Sequence, residues 1–203
     1  SGPFVVGIGG SVRPGSSTET AVGHVLRCLE QRGARTWLCS GGALVLPPYA
    51  DGTDAGPQAE LLVANVRRAD AVVIGSPGYH GSMSGVVKNA IDHLEALRTD
   101  VRPYLEGRAV GCVSTAYGWQ AAVTTLTALR QVVHALRGWP TPYGMALNVR
   151  AEALSDPEGL AGRAVDAGAA TMAQEILEFV GGRLAVRGTG GAPLAPSPAA
   201  AAW

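Results

Sequence analysis

Between Gly10 and Thr18 the chain brings together the hydroxyls of Ser11, Ser16, Ser17 and Thr18 and the guanidinium of Arg13. An apolar segment precedes them and a helical period follows, so they stand where a helix start leaves N–H groups unpaired. Hydroxyls, a guanidinium and free N–H groups together suit a phosphate monoester. The plainer reading of the same residues is a Ser/Thr-rich helix cap with a solvated arginine. Two nucleotide fingerprints are excluded. Val12 stands where Gly7-Ile8-Gly9-Gly10 would need a further glycine to make the dinucleotide motif, and there is no GxxxxGK[ST] for a nucleotide-hydrolysing loop.

A second stretch strips away bulk. In Gly75-Ser76-Pro77-Gly78-Tyr79-His80-Gly81-Ser82-Met83-Ser84-Gly85 the large side chains are Tyr79, His80 and Met83. Glycines at Gly75, Gly78 and Gly81 allow close approach of main chain to a ligand, and the helix expected from about Ser84 adds positive potential. A flat ligand with a polar edge fits such a loop; a turn with Ser84 as N-cap is the simpler alternative. A third stretch, Ser114-Thr115-Ala116-Tyr117-Gly118-Trp119, offers a permissive glycine and two aromatics that can flank a planar ring or anchor a core.

His80 is the candidate proton donor, because imidazole titrates near neutral pH. His24, His93 and His134 are scattered without metal-ligand spacing, and His93 reads as structural or as part of a subunit interface. Cys28, Cys39 and Cys112 are odd in number with no CxxC, so buried thiols are expected and no metal. Sixteen basic residues balance sixteen acidic ones, which leaves no electrostatic footprint for nucleic acid or an anionic membrane. No apolar run approaches a bilayer's thickness and no leader is evident, so the chain reads as soluble and cytoplasmic.

The elements that must position these residues follow from hydrophobic periodicity. Short apolar strands are expected at Phe4 to Ile8, Thr36 to Cys39, Ala71 to Ile74, Ala109 to Val113 and Tyr143 to Leu147. Helical patterns intervene: Val22, Val25, Leu26 and Leu29; Leu62, Val63 and Val66; Met83, Val86, Val87, Ala90, Ile91, Leu94 and Leu97; Val123, Leu126, Leu129, Val132, Val133 and Leu136. A last helix spans about 157 to 180. In the loop from Ser40 to Pro57, Leu44-Val45-Leu46-Pro47-Pro48-Tyr49 could lie near a substrate mouth or cross the surface, and the surface is the expected place. Alternation of strand and helix predicts an α/β domain over 4–180, a parallel sheet with helices on both faces. The three ligand stretches then fall at the C-terminal ends of strands, near the switch in strand order. Residues 181–203 are rich in Gly, Ala and Pro and predict a flexible C-terminal tail.

With these residues laid out, the chain resembles the NAD(P)H-dependent FMN reductases of the flavodoxin-like proteins, a family that includes quinone, azo-dye and chromate reductases. Gly10-Ser11-Val12-Arg13-Pro14-Gly15-Ser16 is similar to the family's phosphate loop. Ser76 to Asp92 is similar to its flavin-ring loop and following helix, and Ser114 to Gly118 more loosely to its third flavin loop. The resemblance implies a flavodoxin-like five-stranded parallel sheet, FMN as cofactor and NADPH or NADH as co-substrate. Ser11, Arg13, Ser16, Ser17 and Thr18 would hold the phosphate. Pro77, Gly78, Tyr79, His80, Gly81 and Ser82 would line one edge of the isoalloxazine, with Ser114, Tyr117 and Gly118 on the other side. The family commonly has Asn where Thr18 stands, and many members have Asn where His80 stands. It also implies ping-pong hydride transfer to a small-molecule acceptor, either free flavin for a partner monooxygenase or a quinone-like compound, by a homodimer or homotetramer. A specialised FMN enzyme acting on one metabolite is the alternative within the family. A flavodoxin-like electron carrier is the alternative outside it, and the zero net charge weighs against that reading.

Overall fold

The computed structural model describes residues 2–150 and 160–188. In chain order these form β1 (Phe4–Gly9), α1 (Ser17–Glu30), β2 (Arg35–Cys39), α2 (Gly56–Arg68), β3 (Ala71–Tyr79), β4 (Ser82–Met83) and α3 (Gly85–Asp92). Then come β5 (Ala109–Ala116), α4 (Trp119–Ala135), β6 (Trp139–Pro140), β7 (Met145–Asn148) and α5 (Leu160–Gly188). Strands β2, β1, β3 and β5 lie side by side in parallel, and both β6 and β7 pair with the free side of β5. The main order is therefore that of a doubly wound sheet. The chain leaves β1 toward β2, then returns across β1 to β3, and its switch point lies between β1 and β3.

Strand residues alternate between two apolar layers, as the two-residue period of a strand requires. Val6, Ile8, Val72, Ile74, Val110 and Cys112 join the layer that packs on α2, α3 and α4. Val5, Ala71, Val73, Ala109 and Val113 join the layer closed by α1 and α5. Burial on both faces is why these strands read as unbroken apolar runs.

The structure departs from the expected elements in four places. First, the sheet has seven strands where five were expected. The fifth position is a broken edge, β6 and β7, and β4 is a short antiparallel addition to β3. Second, β3 continues past Ile74 to Tyr79 and β5 past Val113 to Ala116, with Gly75, Ser76 and Pro77 paired to Val113, Ser114 and Thr115. A Cβ on Gly75 would meet Val22 Cγ2 at 2.4 Å, so this glycine lets α1 close on the sheet. Third, the Ser40–Pro57 segment does not simply cross the surface. Leu44 and Leu46 enter the core. Asn89 accepts from Tyr49 N–H at 2.8 Å and donates to the Pro47 carbonyl at 3.0 Å, and buried His93 donates from Nε2 to that same carbonyl at 2.9 Å. Fourth, α5 runs on through Gly181 and Gly182 to Gly188. The remainder of the expected tail, 189–203, and the expected helix start at 157 lie outside the described residues.

Cys39 and Cys112 are buried, and burial alone pushes their thiols up to about 11 and about 12 respectively. A raised thiol pKa means the protonated, unreactive form persists through pH 8.5, where an ordinary cysteine is half thiolate. Titration of the native protein with a disulfide reagent at that pH should therefore release fast signal from the half-buried Cys28 alone. Cys39 and Cys112 should follow only on unfolding, and three fast thiols would contradict the burial described.

Candidate active site

The site gathers at the C-terminal ends of β1, β3 and β5. After β1, Gly10 turns the chain with φ +103°; a Cβ there would lie 2.9 Å from Ser16 Oγ, so the position needs glycine. The Arg13 N–H donates to Ser11 Oγ at 3.2 Å, which folds the loop back on itself. Ser16 is the N-cap of α1, its Oγ accepting from Glu19 N–H at 3.2 Å. The Ser17 and Thr18 N–H groups have no acceptor among the described residues. These two donors, with Ser11 and exposed Arg13 beside them, make an anion cradle. The buried Thr18 hydroxyl is paired with Thr115 Oγ1 at 2.6 Å, which ties α1 to β5.

The second stretch is a β-hairpin. Tyr79 pairs with Ser82, and His80 (φ 51°) and Gly81 (φ 84°) form a two-residue turn with both centres left-handed. Ser76 Oγ accepts from Ser84 N–H at 2.9 Å, Ser84 Oγ caps α3 by accepting from Val87 N–H at 3.2 Å, and Thr125 Oγ1 donates to the Ser82 carbonyl at 3.2 Å. The hairpin is thus pinned to α3 and α4 while its tip stands in solvent. Tyr79, His80, Gly81 and Ser82 are exposed and Pro77 is half-buried. Gly78 serves packing: a Cβ there would meet Thr125 Oγ1 at 2.6 Å and the Ala121 carbonyl at 3.1 Å.

In the third stretch the fully buried Ser114 hydroxyl donates to the Ala122 carbonyl of α4 at 2.6 Å and ties strand to helix. Gly118 is the N-cap of α4 in extended backbone, with nothing within 4 Å of a would-be Cβ. Tyr117 is 72% exposed, and the Arg150 guanidinium lies 5.6 Å from its ring centre. Arg150 was not anticipated, because the parallel pairing of Ala116 with Asn148 delivers it. Glu19 was also missed, although its signal was present in the Ser16-x-x-Glu19 capping box. Among the described residues no group of three His, Cys, Asp or Glu side chains is placed to hold a metal, and no helix is long and apolar enough to cross a membrane.

Sheet order, switch-point anion cradle and exposed glycine hairpin together define a flavodoxin-like protein. Residues 3–151 match the NADPH-dependent FMN reductase family, and the chain belongs to that family. It is 39% identical over 88 residues to an FMN-dependent NADPH-azoreductase of Staphylococcus saprophyticus, a match covering 43% of each chain. It is 36% identical over 78 residues to an FMN-dependent NADPH-azoreductase of Staphylococcus aureus, covering 38% of each. These matches thus span well under half the length of the curated relatives. Among solved structures, the flavoenzyme NAD(P)H:(acceptor) oxidoreductase FerB of Paracoccus denitrificans superposes with a TM-score of 0.73 at 20% identity, over 89% of this chain and 98% of that one. The apo form of an NADH:FMN oxidoreductase, EMOB, gives 0.68 at 18% identity, over 86% and 90%.

The residues present fit FMN. The Ser17 and Thr18 N–H groups, without an acceptor among the described residues, match a phosphate, and Gly81 and Gly118 have nothing within 4 Å of a would-be Cβ, leaving backbone open to a planar ring.

Proposed function

We propose that this protein is an FMN-dependent NAD(P)H oxidoreductase. The observation that carries the reading is the pair of unpartnered N–H groups at the start of α1, set beside Ser11 and Arg13 at the switch point of the sheet. Arg13, Ser11, Ser16 and the Ser17 and Thr18 amides would hold the FMN phosphate. Pro77, Tyr79, His80, Gly81 and Ser82 would border one side of the isoalloxazine, and Tyr117 and Gly118 the other.

Bound FMN would supply the redox chemistry, between NADPH or NADH as hydride donor and a second substrate as acceptor in a ping-pong sequence. The chain's part is to position and to stabilise charge. The backbone N–H groups of His80 and Gly81 at the hairpin tip would supply fixed dipoles toward negative charge on the ring edge, with little reorganisation because Thr125 already holds the hairpin. The exposed rings of Tyr79, Tyr117 and Trp119 leave an apolar rim for a flat nicotinamide and then a flat acceptor. His80 is the imidazole available at this rim to hold a proton, since His24 is engaged with Asp166, His93 with Pro47, and His134 stands in the last turn of α4, away from the rim. The acceptor is a quinone- or azo-like compound, or free flavin for a partner monooxygenase, and the working state is a homo-oligomer.

The test is the visible spectrum of the protein with FMN, followed anaerobically on adding NADPH or NADH. The flavin band should shift on binding and bleach with a nucleotide. Binding without bleaching would instead favour an electron carrier or a metabolite-specific enzyme, and absence of binding would sink the reading.

A further inference from the structure

Glu19 sits at the third helical position of α1, where a capping-box carboxylate normally reaches back to the N–H of the cap residue itself. Here it reaches one residue further. Its Oε2 accepts from the Gly15 N–H at 3.2 Å, which draws the carboxylate onto the phosphate loop. The side chain stands close to two neighbouring turns: its Cβ lies 3.3 Å from a would-be Cβ on Gly10, and Oε2 lies 3.9 Å from one on Gly41, in the turn after β2. Glu19 takes part in no ion pair among the described residues. A negative charge, not neutralised by any cation in contact, therefore occupies an amide of the same loop that presents the free N–H groups of Ser17 and Thr18.

We propose that Glu19 sets how tightly this protein holds FMN: its carboxylate competes with the flavin phosphate for the loop, so that FMN exchanges during turnover rather than remaining a permanent prosthetic group. The proposal rests on the flavin reading above. A phosphate dianion entering the cradle meets a like charge one helical turn away, and either the carboxylate yields the Gly15 N–H or the two repel across a short, partly wet gap. The ring of the flavin carries no such charge, so the penalty falls on the phosphate alone. A travelling flavin of this kind suits a reaction that hands reduced FMN to a second enzyme.

Glu19→Gln isolates the charge, because the amide oxygen can still accept from Gly15 N–H and the cap is kept. FMN and riboflavin binding to wild type and E19Q would be measured by quenching of flavin fluorescence, at low and at high salt. E19Q should bind FMN roughly tenfold more tightly at low salt, with riboflavin affinity unchanged and the FMN gain shrinking as salt screens it. An unchanged or weaker FMN affinity in E19Q overturns the proposal, as does an equal gain for riboflavin. If neither protein binds either flavin, the flavin reading itself has failed, and the role of Glu19 with it.

Discussion

Arg13→Gln should weaken FMN binding about thirtyfold and leave riboflavin binding where it was. A charge-assisted hydrogen bond to a phosphate is worth about 1.5–3 kcal/mol, and each 1.4 kcal/mol or so is a decade in the dissociation constant. Arg13 is exposed and lies on the loop whose turn is fixed by its own N–H to Ser11 Oγ. The substitution therefore removes a charge without removing a support of the fold. Fluorescence titration with the two flavins, at low and high salt, is the measurement. Equal losses for FMN and riboflavin would mean that Arg13 does not address the phosphate, and no loss would remove it from the site. With Arg13 and Glu19 proposed to act on the same phosphate with opposite sign, R13Q and E19Q should move the FMN constant in opposite directions.

Arg108→Ala should destabilise the fold by about 2–4 kcal/mol, since it empties a buried position and takes the guanidinium donor from the Tyr104 carbonyl, while Arg102 Nη2 still donates to the Ala69 carbonyl at 2.8 Å and to the Arg67 carbonyl at 3.3 Å. Arg108 is 1% exposed and stands just before β5, at the end of the sheet away from the site. Its Nε donates to the Ala69 carbonyl at 3.1 Å, one Nη to Tyr104 at 3.0 Å and the other to Arg67 at 2.8 Å. The fork thus satisfies the carbonyl of left-handed Tyr104 (φ 51°) and shares with Arg102 Nη2 the carbonyls left over at the C-terminus of α2. Burial lowers the guanidinium to about 10. That is still above working pH, so both folded and unfolded chains carry the charge between pH 6 and 9, and the destabilisation of R108A should not change across that range. Urea unfolding of the variant at several pH values checks both statements. Arg108→Lys keeps the charge but loses the fork and should fall between. A loss under 1 kcal/mol in R108A would show that relaxation or water replaces the fork.

Much of the fold was legible because a sheet buried on both faces writes itself as short apolar runs between helical patterns. Phe4 to Ile8 and Ala109 to Val113 are fully buried strand residues as their composition requires. Gly75 to Tyr79 was not legible as strand, since glycine and proline normally break one. What keeps it in the sheet is β5 paired alongside and α1 packed so closely that only glycine fits at Gly75. The Ser40–Pro57 loop was misread for a similar reason: its anchors, Asn89 and His93, lie far away in sequence.

The sequence by itself determined the order of elements, the capped start of α1 and the placing of three polar, glycine-bearing stretches after strands. Hydrophobic period and capping chemistry are local, so neighbouring residues suffice to specify them. Only the tertiary structure decided which groups in those stretches remain free. Thr18 and Ser114 carry hydroxyls of the kind a phosphate or a flavin edge attracts, and in the fold one pairs with Thr115 and the other with α4. Arg150 reaches Tyr117 only through the pairing of β5 with β7. A buried hydroxyl must take whatever partner the packed chain brings to it, and that partner is fixed by contacts between residues far apart in sequence.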